Sequence, residues 1–186
     1  MNRIVITGNE AVSRGFWEAG GTIVSSYPGS PTVSILDSMK SYSEIFAQWG
    51  SNEKVAMEIA IGGSIAGARS LVSMKHVGIN IASDPFMTFT QTKTKGGFLR
   101  VVGDDPGLSS SQNEQDSRFW GKYANIPVLD PSTPQEVKDF VKAGLKISED
   151  FNTPVLIRLT SRLCHSRGIV ELDERTPIDI SGFEEE

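Results

Sequence analysis

The chain has a single cysteine, Cys164, among its 186 residues. One cysteine cannot form an internal disulfide, and it excludes a four-cysteine zinc or iron–sulfur site built by this sequence alone. Long apolar runs are also missing. None approaches the roughly 20 residues of a membrane-spanning helix, and the short apolar start is better explained as a strand than as a signal peptide. We therefore expect a cytoplasmic protein with no membrane partner.

Basic residues are scarce as well, because 18 Lys and Arg stand against 23 Asp and Glu, which gives a formal net charge of −5. Seven of the acids fall in residues 171–186 with only one base, so the rest of the chain is close to neutral. This composition lacks the basic stripe of a nucleic-acid-binding protein, and no nucleic-acid partner is expected. We predict one domain over residues 1–170 and an acidic linker or tail over residues 171–186.

Several phosphate-binding motifs are absent. No Gly-x-Gly-x-x-Gly lies between a strand and a helix, and the cluster of glycines at 62–67 falls inside a predicted helix. A phosphate loop ending in Gly-Lys-Ser/Thr and a hydrolase Gly-x-Ser-x-Gly turn are missing too. Asp104 and Asp105 follow a predicted strand, as metal-binding carboxylates can, but a pair in a loop is more often turn chemistry. No metal site is predicted in this chain.

What the sequence does contain is an alternation of strand-like and helix-like apolar segments. Strands are predicted at 4–6, 22–27, 45–49, 70–74, 96–103, 126–129 and 153–159, and helices at 9–19, 31–42, 53–68, 76–87, 113–123 and 134–150. This order predicts an α/β fold, a three-layer α/β/α sandwich with a mostly parallel sheet of about six strands. Ligands of such folds bind beyond the carboxyl ends of the strands, so we expect the site among loops 27–32, 49–54, 74–78, 103–113 and 159–166.

Glu53 is the most informative of the candidate side chains. Asn52 is a suitable N-cap for the helix of residues 53–68, which places Glu53 at the mouth of an apolar helix rich in Gly, Ala and Ser. A first-turn acid can also serve the helix dipole alone. Glu58 lies about 140° further around the helix, at roughly 100° per residue, so the two acids cannot act on one atom.

Four more residues lie at the predicted ligand edge. Ser30 is expected to cap the helix that starts at Pro31. Lys75 and His76 stand at a strand-to-helix junction, where capping and solvation are the simpler alternative. Arg118 is expected one turn inside the helix of 113–123, and its planar fork suits a substrate carboxylate.

Four segments together resemble the N-terminal pyrimidine-binding domain of the thiamine-diphosphate-dependent 2-oxoacid:ferredoxin oxidoreductases, and the indolepyruvate branch of that family in particular. The segments are residues 27–31, 52–68, 74–78 and 110–118, within a likeness that runs from about residue 5 to residue 170. The last segment, Ser-Ser-Gln-Asn-Glu-Gln-Asp-Ser-Arg, is long and chemically unusual, which makes the resemblance specific.

The resemblance implies roles for particular residues. Glu53 matches a glutamate that hydrogen-bonds N1′ of the aminopyrimidine and thereby promotes removal of the proton from C2 of the thiazolium. Lys75 and His76 would border the cofactor. Ser30 matches a hydroxyl residue near the substrate, and Arg118 matches an arginine that binds the substrate carboxylate.

The resemblance also implies what lies elsewhere. The diphosphate and its magnesium bind a second domain that starts with Gly-Asp-Gly, and Gly103-Asp104-Asp105-Pro106 does not fit that pattern. Iron–sulfur clusters would belong to domains or partners outside this sequence. We expect a diphosphate-binding domain or subunit, ferredoxin, a 2-oxo acid and coenzyme A as partners, and a homodimer.

The implied function is the oxidative decarboxylation of aryl 2-oxo acids such as indolepyruvate, with this chain alone inactive. Two alternatives stay open. One is another thiamine-diphosphate enzyme, namely a pyruvate or 2-oxoglutarate oxidoreductase or a 2-oxoacid decarboxylase. The other is a non-catalytic α/β interaction module.

Overall fold

The computed structural model describes residues 2–178. Its strands are β1 Asn2–Thr7, β2 Ile23–Ser26, β3 Phe46–Trp49, β4 Ser70–Lys75, β5 Phe98–Asp104, β6 Val128–Leu129, β7 Val155–Thr160 and β8 Arg167–Leu172. Its helices are α1 Gly8–Glu18, α2 Val33–Met39, α3 Glu53–Ile65, α4 His76–Ile81, α5 Ser83–Phe89, α6 Arg118–Ala124, α7 Pro134–Phe151 and α8 Ser161–His165. None of the helices within this range is long and apolar enough to cross a membrane.

Six strands form one parallel sheet in the order β3-β2-β4-β5-β7-β6. Alternate residues of β5 face opposite layers: Leu99 and Val101 pack with α1, α2 and α7, whereas Phe98 and Val102 pack with α3 to α6. Every residue of β4 and β5 is buried, as expected for central strands covered on both faces. The predicted α/β/α sandwich with a six-stranded parallel sheet is confirmed.

A second, smaller sheet was not predicted. β1 lies outside the main sheet and pairs antiparallel with β8, with Asn2 opposite Leu172 and Thr7 opposite Arg167. The predicted strand at 4–6 therefore exists but belongs to another sheet.

The expected boundary at residue 170 falls inside β8. Beyond this strand, the Asp173 carboxylate accepts hydrogen bonds from Lys138 and Lys142 at 2.8 and 2.7 Å. The backbone N–H of Thr176 donates to the carbonyl of Glu18 at 2.8 Å. Residues 171–176 therefore pack against α1 and α7, and residues 179–186 lie outside the described range. The division into a domain and a tail stays a prediction.

Two helix starts differ from those predicted. α2 begins at Val33, with Thr32 instead of Ser30 as its N-cap residue, because the N–H of Thr32 first closes a turn onto the carbonyl of Gly29 at 3.0 Å. α6 begins at Arg118 instead of residue 113. The N–H of Ser117 is taken by the Asp104 carboxylate at 3.1 Å, so no helical turn precedes it.

Two further helix boundaries differ from those predicted, and each difference has a local cause. The predicted helix of 76–87 is two helices that meet at Ala82, since Pro85 has no N–H to donate to the carbonyl of Ile81. α3 ends at Ile65 instead of residue 68, because Gly67 turns to φ +94°.

Candidate functional site

A cavity of about 560 Å³ opens at the carboxyl edge of the main sheet. Its walls are residues 27–29 after β2, Glu53 at the start of α3, Lys75 and Val77 at the junction of β4 and α4, and residues 108–112 after β5. Four of the five loops expected at the ligand edge therefore contribute to one site. The fifth, loop 159–166, borders a separate cavity beside Arg158.

Glu53 is held at this cavity by its helix and by a glycine. The side chain of Asn52 accepts a hydrogen bond from the N–H of Val55 at 2.9 Å, which fixes the first turn of α3. The side chain of Glu53 then lies against Gly78 of α4, where an added Cβ would stand 2.7 Å from Cγ and 2.9 Å from Oε1 of the glutamate. Within residues 2–178, no group donates a hydrogen bond to this carboxylate. It is a half-buried acceptor that faces the cavity.

Lys75 and His76 hold the loop that follows β5. Lys75 is 8% exposed, and its Nζ donates to the carbonyl of Ser110 at 2.5 Å. His76 is fully buried, with Nε2 2.9 Å from the carbonyl of Asn113. A carbonyl can only accept, so Nε2 carries the proton of this bond. The structure places Lys75 in the cavity wall and His76 behind it, and the predicted cofactor contact of each stays a prediction.

Asp105 anchors the same loop from the opposite side. Its carboxylate accepts hydrogen bonds from the N–H of Ser110 at 2.8 Å and from the hydroxyls of Ser111 and Ser161 at 2.6 and 2.8 Å. These bonds lower the pKa of Asp105 to about 2, and the bond from the hydroxyl of Ser111 has the largest effect. The turn interpretation of Asp105 therefore agrees with the structure.

Asp104 faces another part of the fold. It is fully buried and accepts from Nε of Arg158 at 2.8 Å and from the hydroxyl and N–H of Ser117. The charge of Asp104 is therefore paired inside the protein. Asp104 holds Arg158 and Ser117, whereas Asp105 holds the loop that follows β5.

Ser30 and Arg118 are not brought to the cavity. Ser30 is exposed and follows the lining residue Gly29. Arg118 opens α6, so its expected position one turn inside a helix is wrong. Its exposed guanidinium forms an ion pair with Asp116 at 2.6 Å, which lowers the pKa of that carboxyl to about 2. Binding of substrate by either residue stays a prediction.

Sequence reasoning missed two contributors to the site. Gly78 carries a weak signal, since a glycine inside a helical pattern often marks close packing. Leu108, a 45% exposed apolar residue at φ +57°, lies in the expected ligand loop 103–113, but no local pattern singles it out, because its position in the wall depends on the fold of the loop.

The arrangement of sheet and helices is that of a known enzyme structure. The 2-oxoglutarate:ferredoxin oxidoreductase from Magnetococcus marinus, solved with 2-oxoglutarate, coenzyme A and succinyl-CoA bound, superposes with a TM-score of 0.83. The match covers 95% of this chain and 33% of that chain at 20% sequence identity. This likeness defines the fold class.

The particular family follows from the sequence. The family described as pyruvate flavodoxin/ferredoxin oxidoreductase, thiamine diP-bdg, matches residues 14–185. The chain belongs to this thiamine-diphosphate-binding family.

Curated relatives indicate the branch of this family that the chain resembles. "Indolepyruvate oxidoreductase subunit IorA" of Archaeoglobus fulgidus is 43% identical over 177 residues, which cover 91% of this chain and 28% of the relative. The same subunit of Pyrococcus abyssi is 45% identical, over 92% of this chain and 27% of the relative. "2-oxoglutarate synthase subunit KorA" of Methanothermobacter thermautotrophicus is 24% identical, over 93% of this chain and 48% of the relative. The chain thus spans less than a third of the IorA subunits, and the resemblance to the indolepyruvate branch is confirmed.

Proposed function

We propose that this chain is the pyrimidine-binding part of a thiamine-diphosphate-dependent oxidoreductase that oxidatively decarboxylates aryl 2-oxo acids such as indolepyruvate. Ferredoxin accepts the electrons and coenzyme A accepts the acyl group. The observation that carries the proposal is the Glu53 carboxylate, which faces the cavity without a donor from residues 2–178. The 40–45% identity to IorA subunits, against 24% to KorA, favours an aryl substrate over 2-oxoglutarate.

The residues present fit the aminopyrimidine ring of the cofactor. Glu53 offers an acceptor oxygen at the cavity wall, and Gly78 leaves space for its side chain. Tyr27, Pro28 and Val77 give the same wall apolar surface against which a ring can pack. When bound, thiamine diphosphate supplies the carbon that adds to the 2-oxo group and takes up the electrons of decarboxylation.

The work of this chain is to hold a proton and to shape the cavity. Glu53 keeps the proton at N1′ of the pyrimidine, which requires a fixed carboxylate within hydrogen-bond reach. Lys75 and His76 act beside it by holding the loop carbonyls of Ser110 and Asn113 in place. Each donor is buried, so these bonds are well protected from competing water.

Ser30 and Arg118 are proposed as substrate contacts. Ser30 lies one residue beyond the cavity wall. The guanidinium of Arg118 holds the Asp116 carboxylate through two nitrogens, at 2.6 and 2.9 Å. It would bind a 2-oxo acid by exchanging the Asp116 carboxylate for that of the substrate, a replacement of like by like.

Other parts of the enzyme are proposed to lie outside this chain. A diphosphate-binding domain or subunit holds the diphosphate and magnesium, and iron–sulfur clusters in further domains or partners lead to ferredoxin. The chain is proposed to act in a homodimer. The sequence at the end of β5 is Gly103-Asp104-Asp105-Pro106, which supports this division because it departs from the Gly-Asp-Gly start of a diphosphate site.

The test is Glu53→Gln in the complete assembly. The amide keeps the shape of the side chain but loses the charge that holds the proton at N1′. The exchange rate of the C2 proton of bound thiamine diphosphate, followed by NMR, should fall about 100- to 10,000-fold. Indolepyruvate-dependent reduction of ferredoxin should fall with it.

The matched control is Glu58→Gln, on the same helix but exposed to solvent. It should leave the exchange rate of the C2 proton unchanged. Wild-type exchange in Glu53→Gln would contradict the proposal and favour a non-catalytic module.

A further inference from the structure

One wall of the Glu53 cavity is a loop that side chains outside it and at its ends tie to the rest of the fold. We call residues 105–113 the cavity loop; residues 108–112 of this loop line the cavity. The loop is tied at Ser110 to Lys75 and at Asn113 to His76, which fixes it to the end of β4. Asp105 ties it to the opposite side, at the end of β5 and the start of α8.

The tip of the cavity loop has an unusual backbone. Gly107 and Leu108 are both left-handed, at φ +81° and φ +57°. This conformation is easy for glycine and costly for leucine, because the Cβ crowds the following carbonyl. A strained residue persists only where surrounding contacts determine it. In this conformation the apolar side chain of Leu108, which is 45% exposed, lies in the wall of the cavity.

Asp105 provides the contacts that close this turn. Its carbonyl accepts the N–H of Leu108 at 3.1 Å, and its carboxylate accepts the N–H of Ser110 and the hydroxyl of Ser111. A single residue therefore bonds both the strained residue and two residues that follow it. It is only 2% exposed, and the low pKa of its carboxyl keeps it charged, which strengthens each of these bonds.

We propose that Asp105 is a positioning residue that holds Leu108 at the cavity wall, where Leu108 contacts the side chain of the 2-oxo acid and selects an aryl substrate. This inference rests on the proposed function. Leu108 determines specificity through apolar contact, and Asp105 acts only through the loop.

The first test is Leu108→Ala in the complete assembly, with indolepyruvate and pyruvate compared as substrates. Loss of the apolar contact should lower the ratio of their kcat/KM values about tenfold, mainly through KM for indolepyruvate. Because Leu108 is exposed at the tip of the loop, this variant keeps the fold. An unchanged ratio would overturn the inference.

The second test is Asp105→Asn, with Asp173→Asn as the matched control. Both aspartates have a pKa of about 2 and accept several hydrogen bonds, but Asp173 binds Lys138 and Lys142 away from the cavity. Asp105→Asn should raise KM for indolepyruvate about tenfold or more and speed chymotryptic cleavage after Leu108. Asp173→Asn should change neither. Equal KM values in the two variants would overturn the inference.

The C2 proton exchange of bound thiamine diphosphate separates this inference from the proposed function. Exchange depends on Glu53, so it should stay near the wild-type rate in Leu108→Ala and Asp105→Asn. If Glu53→Gln also keeps the wild-type rate, the proposed function fails. If Glu53→Gln loses exchange while both loop variants keep the substrate ratio and KM of the wild type, only the role of the cavity loop fails.

Discussion

Gly78→Ala should displace the carboxylate of Glu53 without unfolding the protein. The added Cβ would stand 2.7 Å from Cγ of Glu53. Carbon atoms in favourable contact are about 3.5–4.0 Å apart, so the glutamate must move by roughly 1 Å. A misplacement of about 1 Å can cost 100-fold in rate, and we expect a loss of this size in C2 proton exchange of thiamine diphosphate in the complete assembly.

The expected change in stability is small because two effects oppose each other. Alanine is better than glycine in a helix interior by about 1 kcal/mol. Overpacking costs about 1–3 kcal/mol where neighbours cannot move. Here the neighbour is a side chain on the wall of an open cavity, which can swing away, so the cost falls at the lower end. Thermal unfolding of the Gly78→Ala chain should therefore differ from wild type by less than about 1 kcal/mol.

The control is a second glycine-to-alanine change in a helix. A Cβ at Gly62 of α3 would meet nothing within 4 Å. Gly62→Ala should stabilise the chain by about 1 kcal/mol and leave C2 proton exchange unchanged. Equal exchange rates in Gly78→Ala and Gly62→Ala would refute the reasoning, since only the first alanine reaches Glu53.

Two further predictions concern titratable groups. Cys164 is buried, and burial raises the pKa of its thiol to about 12. Iodoacetamide at pH 8 should therefore label the folded chain far more slowly than the urea-unfolded chain; equal labelling rates would contradict this. The pKa of Asp173 is lowered to about 2 by hydrogen bonds from Lys138 and Lys142. A lowered pKa in the folded state stabilises the fold above the ordinary value of 3.8, and this contribution is lost as the pH falls towards 2. The melting temperature should thus fall less between pH 5 and pH 2 in Asp173→Asn than in wild type, and identical slopes would rule out this contribution.

The main sheet could be predicted because its signals are local. Central strands buried on both faces have continuous apolar sequences, and helices α3 and α7 begin at recognisable caps. Asn52 and Thr133 both accept a backbone hydrogen bond from three residues later. Neither feature needs knowledge of distant parts of the chain.

The missed features depend on residues far apart in sequence. β1 and β8 pair across most of the chain, and no pattern in either strand identifies its partner. The start of α6 is delayed because Asp104 takes the N–H of Ser117, 13 positions away. Hydrophobic periodicity reports which face of a segment is buried, but it does not report such side-chain contacts.

The candidate site shows how far a local pattern can identify a functional residue. Acids occupy the first turns of α1, α3, α5 and α7, and the helix dipole explains each of them equally well. In the structure, Glu10 and Glu136 accept backbone and hydroxyl hydrogen bonds at their own helix starts, and Asp84 pairs with Lys54. Among these first-turn acids, only Glu53 has no donor within the part of the chain that the structure describes. Because donors within the protein account for the other three, the free carboxylate beside Gly78 is the one that a ligand can still engage.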